Sequence, residues 1–402
     1  MNLKKLSTAV LFLALICVLV LAVYSGSAEL PEPSQMLGDL PTPAPSPTPS
    51  PSPSPTPTPS PSPTPEPTPP PPIEAIIHMA GDILLHTEPV KAAKTEDGYD
   101  FLPFLSPIAS YLQDGFAICN MESPVDAYGD NTRISTFPCF NVPYEILTAL
   151  KEVGFDALVT ANNHAYDQGF GGLVATRRNI EKAGLLFTGT NETQEQYDEY
   201  LIVDVNGLMV GIIAYSEIDN GMSGVIPSEK RPFTMRRFTL NDKDIDVMAE
   251  DMQRCRDAGA DLIILSLHWG AEYMDTPNST QVRFARMLSE RGADVVMGNH
   301  AHCVQPLEWV DTPRGSRPIF YSLGNFFCNN MKYPKTQYGM LLTIKVVKDG
   351  DDISISAEIL PTFCNKYWDA DSPNGLSYRL EPAEEGGPAY EHVRKVTETV
   401  LN

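Results

Sequence analysis

From residue 73 onward, short apolar runs alternate with stretches of helical periodicity. The runs at 75–79, 116–119, 157–160, 262–267, 294–297 and 319–322 predict strands. The amphipathic stretches at 102–112, 144–153, 172–183, 242–258 and 280–291 predict helices between them. Such alternation argues a layered α/β domain. Two further pairs read as hairpins: 200–205 with 208–215 across Asn206-Gly207, and 340–347 with 353–360 across Lys348-Asp349-Gly350. Residues 217–238 interrupt the pattern as a long polar loop ending in Lys230, Arg231, Arg236 and Arg237, a candidate contact for an anion. No internal repeat is visible.

Residues 1–72 cannot contribute to a core. Lys4 and Lys5 precede an uncharged stretch at 6–24, which as a helix would cover roughly 28 Å, close to the thickness of a bilayer's hydrocarbon. Residues 1–28 therefore read as a transmembrane anchor, or as a signal peptide cut after Ala28. Either reading sends the remainder outward, because the two lysines hold the N-terminus inside. Eighteen of the 37 prolines fall within 41–72, alternating with Ser or Thr. Residues 29–72 are thus expected to be a linker rich in polyproline II, reaching on the order of 100 Å. A tether of that length favours the uncleaved anchor, which makes the chain single-pass with its C-terminal domain, 73–402, outside the cell; the alternative is a secreted protein.

Setting aside two lysines and four acids in 1–72, the remaining 330 residues carry 27 Lys plus Arg against 47 Asp plus Glu, a balance near −20. Such a surface repels a polyphosphate backbone, so nucleic acid is excluded as a partner. Six of the seven cysteines lie beyond the apolar segment and form no CxxC pair, which fits buried thiols in a domain large enough to need no staples.

The polar clusters sit where strands end, the edge at which open α/β sheets place ligands. In chain order they are Gly81-Asp82, then Asn120-Met121-Glu122, then the run from Ala161 through Asn162, Asn163 and His164 to Asp167. There follow His268-Trp269-Gly270-Ala271-Glu272-Tyr273, Gly298-Asn299-His300-Ala301-His302 and Gly324-Asn325. Four of the seven histidines fall in these clusters. On an extended segment His300 and His302 would point to opposite sides, serving two adjacent metals, or one metal and its surroundings. A histidine paired with a carboxylate, as His164 and Asp167 are spaced to be, can act as a general acid toward a leaving oxygen.

This succession resembles the CapA family over roughly residues 75–328, a family tied to poly-γ-glutamate capsule synthesis or export and itself similar to calcineurin-like metallophosphoesterases. The resemblance implies a four-layer α/β/β/α sandwich with a divalent metal centre. Position by position it implies Asp82, Glu122, Asn163, His268, His300 and His302 as ligands and His164 with Asp167 as the acid dyad. Asn120, Asn162, Trp269, Glu272 and Asn325, from the same clusters, are expected to bind substrate. Two departures stand out: Leu84 occupies the position of an expected histidine unless His86 substitutes, and Glu122 stands where a bridging Asp is usual. The centre is therefore read as holding one or two ions of Mn, Fe or Zn. The expected chemistry is hydrolysis or transfer at a phosphoester or amide bond, with an anionic polymer such as poly-γ-glutamate or a phosphoester as substrate and capsule synthase subunits as partners. The alternative is an anchored, non-catalytic subunit that binds polymer through the same site or through the basic loop.

Overall fold

A computed structural model of the chain describes residues 71–328 and 333–401. The expected anchor and nearly all of the expected linker lie outside the described residues. Among those described, no helix is long and apolar enough to cross a membrane. The strands, in chain order, are β1 (Ile73–Leu84), β2 (Phe116–Met121), β3 (Ala157–Val159), β4 (Leu186–Thr188), β5 (Leu201–Val205), β6 (Leu208–Ser216) and β7 (Leu262–His268). They continue with β8 (Val295–Asn299), β9 (Leu307–Thr312), β10 (Gly315–Phe320), β11 (Asn325–Cys328), β12 (Tyr338–Asp349), β13 (Asp352–Trp368) and β14 (Leu376–Pro382). The longer helices are α1 (Glu145–Val153), α2 (Gly169–Lys182), α3 (Asp242–Asp257), α4 (Ser279–Arg291) and α5 (Pro388–Thr397).

The strands form two mixed sheets, giving an α/β sandwich. The first has the order β14-β13-β12-β1-β2-β3-β4, with β11 also paired to β1. The second has the order β5-β6-β7-β8-β10-β9. Strands β1 to β4 run parallel, as do β6, β7, β8 and β10. Parallel strands need apolar cover on both faces, and β7, Leu-Ile-Ile-Leu-Ser-Leu-His, is buried at every position. Between the sheets lies one apolar core, in which Ile77, Met79 and Leu342 of the first meet Ile212, Ile264 and Met297 of the second. On the far side of the first sheet, α1 places Ile146, Leu147 and Leu150 in a second core. On the far side of the second, α3 and α4 cover Ile263, Leu265 and Val296 with Met248, Met252, Phe284 and Leu288.

Local chemistry accounts for the departures from the expected elements. The helix expected at 102–112 is an α-turn, Leu102–Leu105, followed by a 3₁₀ segment, Ser106–Tyr111. Pro107 supplies no N–H to continue the α ladder. Strands β4 and β11 have three and four residues, too few for a periodicity, and β9 is an edge strand whose residues are all partly or fully exposed. The long loop is not free: Ser216 bridges Arg237, Thr190 bridges Met235, and a short helix spans Arg231–Thr234. The β5–β6 hairpin turns on Asn206 and Gly207, both at positive φ, as the two-residue turn requires.

Two glycines fix the end of the first sheet. A Cβ on Gly81 would lie 1.8 Å from the carbonyl oxygen of Gly324, which itself accepts the amide of Asp82 at 3.0 Å. This contact anchors Asp82 to the turn preceding β11. Gly81→Ala should therefore destabilise the domain by about 3 kcal/mol or more, since backbone must move. Gly171→Ala, on α2 with nothing within 4 Å of the added carbon, should instead stabilise it by roughly 0.5–1 kcal/mol. Denaturant midpoints of the two variants check the contrast.

Candidate metal centre

The C-terminal ends of parallel strands from both sheets meet at one buried place. Asp82 is on β1, Glu122 follows β2, Asn163 follows β3, His268 ends β7, and His300 and His302 follow β8. All six are buried, Asp82 and Glu122 with no exposure at all. Ligand atoms of Glu122, His268 and His300 lie within 4.8 Å of one another, and so do those of Asp82, Glu122 and His302. Glu122 belongs to both groups, the position of a carboxylate shared between two cations.

The direct distances show how tightly these atoms converge. Nε2 of His268 is 2.8 Å from Oδ1 of Asn163, 3.1 Å from Nδ1 of His300 and 3.4 Å from Oε1 of Glu122. An imidazole nitrogen carries at most one proton and donates one hydrogen bond, so these three lone-pair atoms cannot all be satisfied by it. Nδ1 of His302 is 3.5 Å from Oδ2 of Asp82 and 3.9 Å from Oε2 of Glu122. Neither oxygen of Glu122 accepts a hydrogen bond within the chain. A buried carboxylate with two orphaned oxygens amid imidazoles fits a divalent cation, which would neutralise it and fill both lone-pair directions.

The electrostatics of the bare site point the same way. Burial, followed by the adjacent charge of Asp82, pushes Glu122 well above the usual carboxylate range. Burial also opposes charge on Asp82, but hydrogen bonding and the charge of His302 outweigh it and its pKa falls. Burial drops His268 to about 3, against the pull of Asp82, and carries His300 well below the ordinary imidazole value, helped by His268. His302 is the exception: burial would lower it, and its bond to Asp82 raises it overall. Two neutral imidazoles are ready as ligands without losing a proton.

The sequence placed His300 and His302 on an extended segment with opposed rings; the structure corrects this. Strand β8 stops at Asn299, and both histidines have positive φ, 90° and 55°, a region that non-glycine residues seldom occupy. The turn brings both rings to the same side, 5.9 Å apart, where each addresses a different group around Glu122. His86 does not replace the histidine missing at Leu84. Its ring packs against Phe137 and Phe140, and it belongs to neither ligand group.

The other expected residues divide. Nδ1 of His164 is 2.8 Å from Oδ2 of Asp167, and the amide of Phe140 donates to the same oxygen at 2.7 Å, so the dyad is held from outside its own loop. Asn120 donates to Asp82 at 2.7 Å. Asn162 donates to the carbonyl of Met121 at 2.8 Å and accepts from the amide of His164 at 3.2 Å. Oδ1 of Asn325 is 3.0 Å from Nδ1 of His302, and its amide nitrogen donates to Thr336. The hydrogen bonds of these three amides thus run to Asp82, His302, His164 and backbone carbonyls. Trp269 is a core residue, 1% exposed, stacked on Tyr321 and donating to its carbonyl, so it offers no face to a substrate. Glu272 is exposed, within electrostatic reach of Glu122 and His302. Of the basic loop, Arg236 is paired with Asp251, Arg237 with Asp219, and Arg231 donates to backbone carbonyls, which leaves Lys230, over Phe170 and Phe233, a weak basis for holding polymer.

Two residues near the centre were given no role from the sequence. Asn299 is buried with both amide atoms unpartnered, hidden by two more conspicuous histidines in its own cluster. Phe140 comes from a loop without motif, yet its amide fixes Asp167 and its ring lies 4.7 Å from that of His164. The cysteines within the motifs carry no nucleophile: burial raises Cys119 well above the usual thiol range and pushes Cys303 up to about 12. Among the described residues, Cys119, Cys139, Cys255, Cys303 and Cys364 are free thiols.

Comparison with known proteins places these residues in a family. The family model described as bacterial capsule synthesis protein PGA_cap matches residues 76–330. The capsule biosynthesis protein CapA of Bacillus anthracis is 28% identical over 254 residues, which cover 62% of this chain and 58% of that protein. The PGA biosynthesis protein CapA of Bacillus subtilis is 25% identical over 278 residues, 67% of each chain. The chain thus spans from somewhat over half to two thirds of the length of these relatives, and the family match at 76–330 contains every ligand candidate named above.

A cation at this site would compete with protons for Glu122 and His302, whose pKa values are raised, but not for His268 and His300, whose pKa values are lowered. In the metal-free fold the contributions of Glu122 and His302 are fully present below their ordinary values of 4.5 and 6.5 and are lost as pH rises through the raised ones. The metal-bound fold holds both deprotonated and has no such loss. The melting temperature gained on adding Mn or Zn to chelator-treated protein should therefore grow between pH 5 and 7.5. In elemental analysis at pH 7.5, Glu122→Gln should lower the content of both ions, His302→Ala and His300→Ala mainly one each. A pH-independent gain, or undiminished metal in Glu122→Gln, would contradict the shared-carboxylate geometry.

Proposed function

This chain belongs to the bacterial capsule synthesis protein PGA_cap family, and on that premise we propose that it is an extracytoplasmic, CapA-like protein of poly-γ-glutamate or capsule biosynthesis or export. Its activity is metal-dependent hydrolysis or transfer at a phosphoester or amide bond. One observation carries the reading: two buried ligand groups share Glu122, beside a His164–Asp167 pair whose histidine acts electrostatically on His268 and His300. The names of the relatives, capsule and PGA biosynthesis proteins, support the polymer as substrate and a synthase complex as setting. The finer picture of a four-layer metallophosphoesterase sandwich is part of the same proposal, as are the external location and the membrane tether.

Asp82, Glu122, Asn163, His268, His300 and His302 would hold the cations, with Mn, Fe or Zn suited to mixed imidazole, carboxylate and amide donors. When bound, such ions polarise the scissile group and acidify a water. The chain's own residues do the rest. Asp167 holds Nδ1 of His164, leaving Nε2 as the nitrogen that delivers a proton to the leaving oxygen or nitrogen. Phe140 limits the motion of that pair by hydrogen bond and ring contact. Asn120 fixes Asp82 and Asn325 fixes His302, so that the ligands cannot rotate as charge builds on the substrate.

Turnover should be measured on a generic phosphodiester and on γ-linked glutamate chains with metal-loaded protein. His268→Ala is expected to abolish it together with metal retention. His164→Asn should reduce kcat by about 10²–10⁴ while keeping the metal. Full turnover in His268→Ala would exclude metal-assisted chemistry, and polymer binding by the metal-free protein without any turnover would favour the non-catalytic role.

A further inference from the structure

The seam where the edge strands β4 and β5 of the two sheets approach holds a pocket of about 270 Å³ away from the metal centre. Arg177, from α2, and Arg236, from the end of the long loop, both line it, 7% and 4% exposed. Their situations differ. Arg236 has a counterion: its Nε donates to Asp251 at 3.2 Å, its Nη2 donates to the carbonyl of Tyr197, and its guanidinium lies over the rings of Tyr197 and Tyr200. Arg177 has none. Its Nη1 donates to the neutral side chain of Gln196, and its guanidinium covers Phe187 at 4.9 Å. Its Nε is buried without an acceptor. Among the described residues, no carboxylate oxygen lies within 4.0 Å of it.

A buried guanidinium without a counterion is expensive, because neither water nor a carboxylate replaces its hydration. Glu181, one turn further along α2, and Glu192 contribute only through-space attraction and leave the charge disfavoured by burial. Glu181 and Glu199 also line the pocket, so its rim is not uniformly basic. The Nε–Nη2 edge of arginine pairs two parallel N–H donors with two oxygens of a planar or tetrahedral oxyanion. Thr188 and Thr190 also line the pocket, with their hydroxyls engaged by the carbonyl of Ile212 and by Thr160, so the arginine is the group that addresses an anion.

We propose that this pocket is a second, metal-independent ligand site, in which Arg177 receives a small oxyanion, a carboxylate or a phosphate. The guanidinium supplies the charge, and Phe187 and Gln196 hold its plane. The site stands apart from the chemistry proposed for the metal centre and does not depend on it.

The test is thermal unfolding of the whole protein in excess EDTA, so that no cation-bound anion contributes, at constant ionic strength set with sodium chloride. Inorganic phosphate and glutamate are titrated separately to about 20 mM against wild type and Arg177→Met, which keeps the bulk over Phe187. Wild type should rise by roughly 2 °C or more with at least one anion. Arg177→Met should lose that rise while melting, without anion, no lower than wild type, since removal of an unpaired buried charge does not destabilise. A rise with phosphate alone identifies a phosphate site, and a rise with glutamate alone a carboxylate site. No rise with either, or an equal rise in the variant, overturns the proposal. So does an Arg177→Met protein that melts well below wild type in every buffer, because the arginine is then a packing residue.

Discussion

The whole arrangement turns on one carboxylate. Glu122 is fully buried, its two oxygens accept no hydrogen bond, and it sits beside a second buried carboxylate, Asp82. Left alone, such a pair cannot hold two charges, because like charges in a low-dielectric interior force one group to keep its proton. The two neutral histidines next to it, His268 and His300, have lone pairs and too few donors to face. Every one of these deficits is removed by the same addition, positive charge placed between the groups. A site of this kind fits a bound cation better than it fits an interior without one.

The fold supplies that container by an economy of backbone. Parallel strands from two sheets end at the same level, so each contributes a side chain where its hydrogen-bond ladder stops and the chain must turn. Three close approaches fix those ends: Gly81 against Gly324, Gly298 against Tyr321, and Asn325 paired with Asp82 in the ladder between β1 and β11. His300 and His302 complete the site from a left-handed turn, a conformation unfavourable for a β-branched or bulky residue and costing of order 1 kcal/mol or more. The surrounding ladders hold it there, with the amide of His300 3.4 Å from Asp82. Strain is thus concentrated where the two rings turn toward the two groups that share Glu122.

Much of this was legible in the residues. The strands whose ends bear the candidate ligands, β1, β2, β3, β7 and β8, are apolar and largely buried, so their ends were marked by an abrupt change from aliphatic to polar. The helices α3 and α4 were equally plain. What the sequence concealed was direction. Alternation along an extended chain gave His300 and His302 opposed rings, whereas two positive φ angles fold them together. Trp269 lay inside a polar cluster and was expected to bind substrate, but just past the end of β7 its ring enters the outer core against Phe284 of α4 and Tyr321. The amides Asn120, Asn162 and Asn325 were expected to contact substrate, and their tertiary partners are Asp82, Met121, His164, His302 and Thr336. Short or edge strands such as β4, β9 and β11 had no periodicity to read, since register with a neighbour rather than their own pattern defines them.

Charge gives the last link. A domain near −20 repels any polyanion at long range, and the ring of carboxylates at the centre would repel it at short range too. Two divalent ions against Asp82 and Glu122, with both carboxylates then ionised, would set the local balance at about +2, in an interior where such a charge is barely screened. The cations would therefore do more than activate water: they would reverse the sign of the field a phosphoester or polyglutamate chain meets at the strand ends. The arginines cannot take over that task, since Arg236, Arg237, Arg254, Arg256 and Arg317 are each committed to an internal carboxylate. Binding of an anionic substrate and binding of metal are, on this account, one property of the site rather than two.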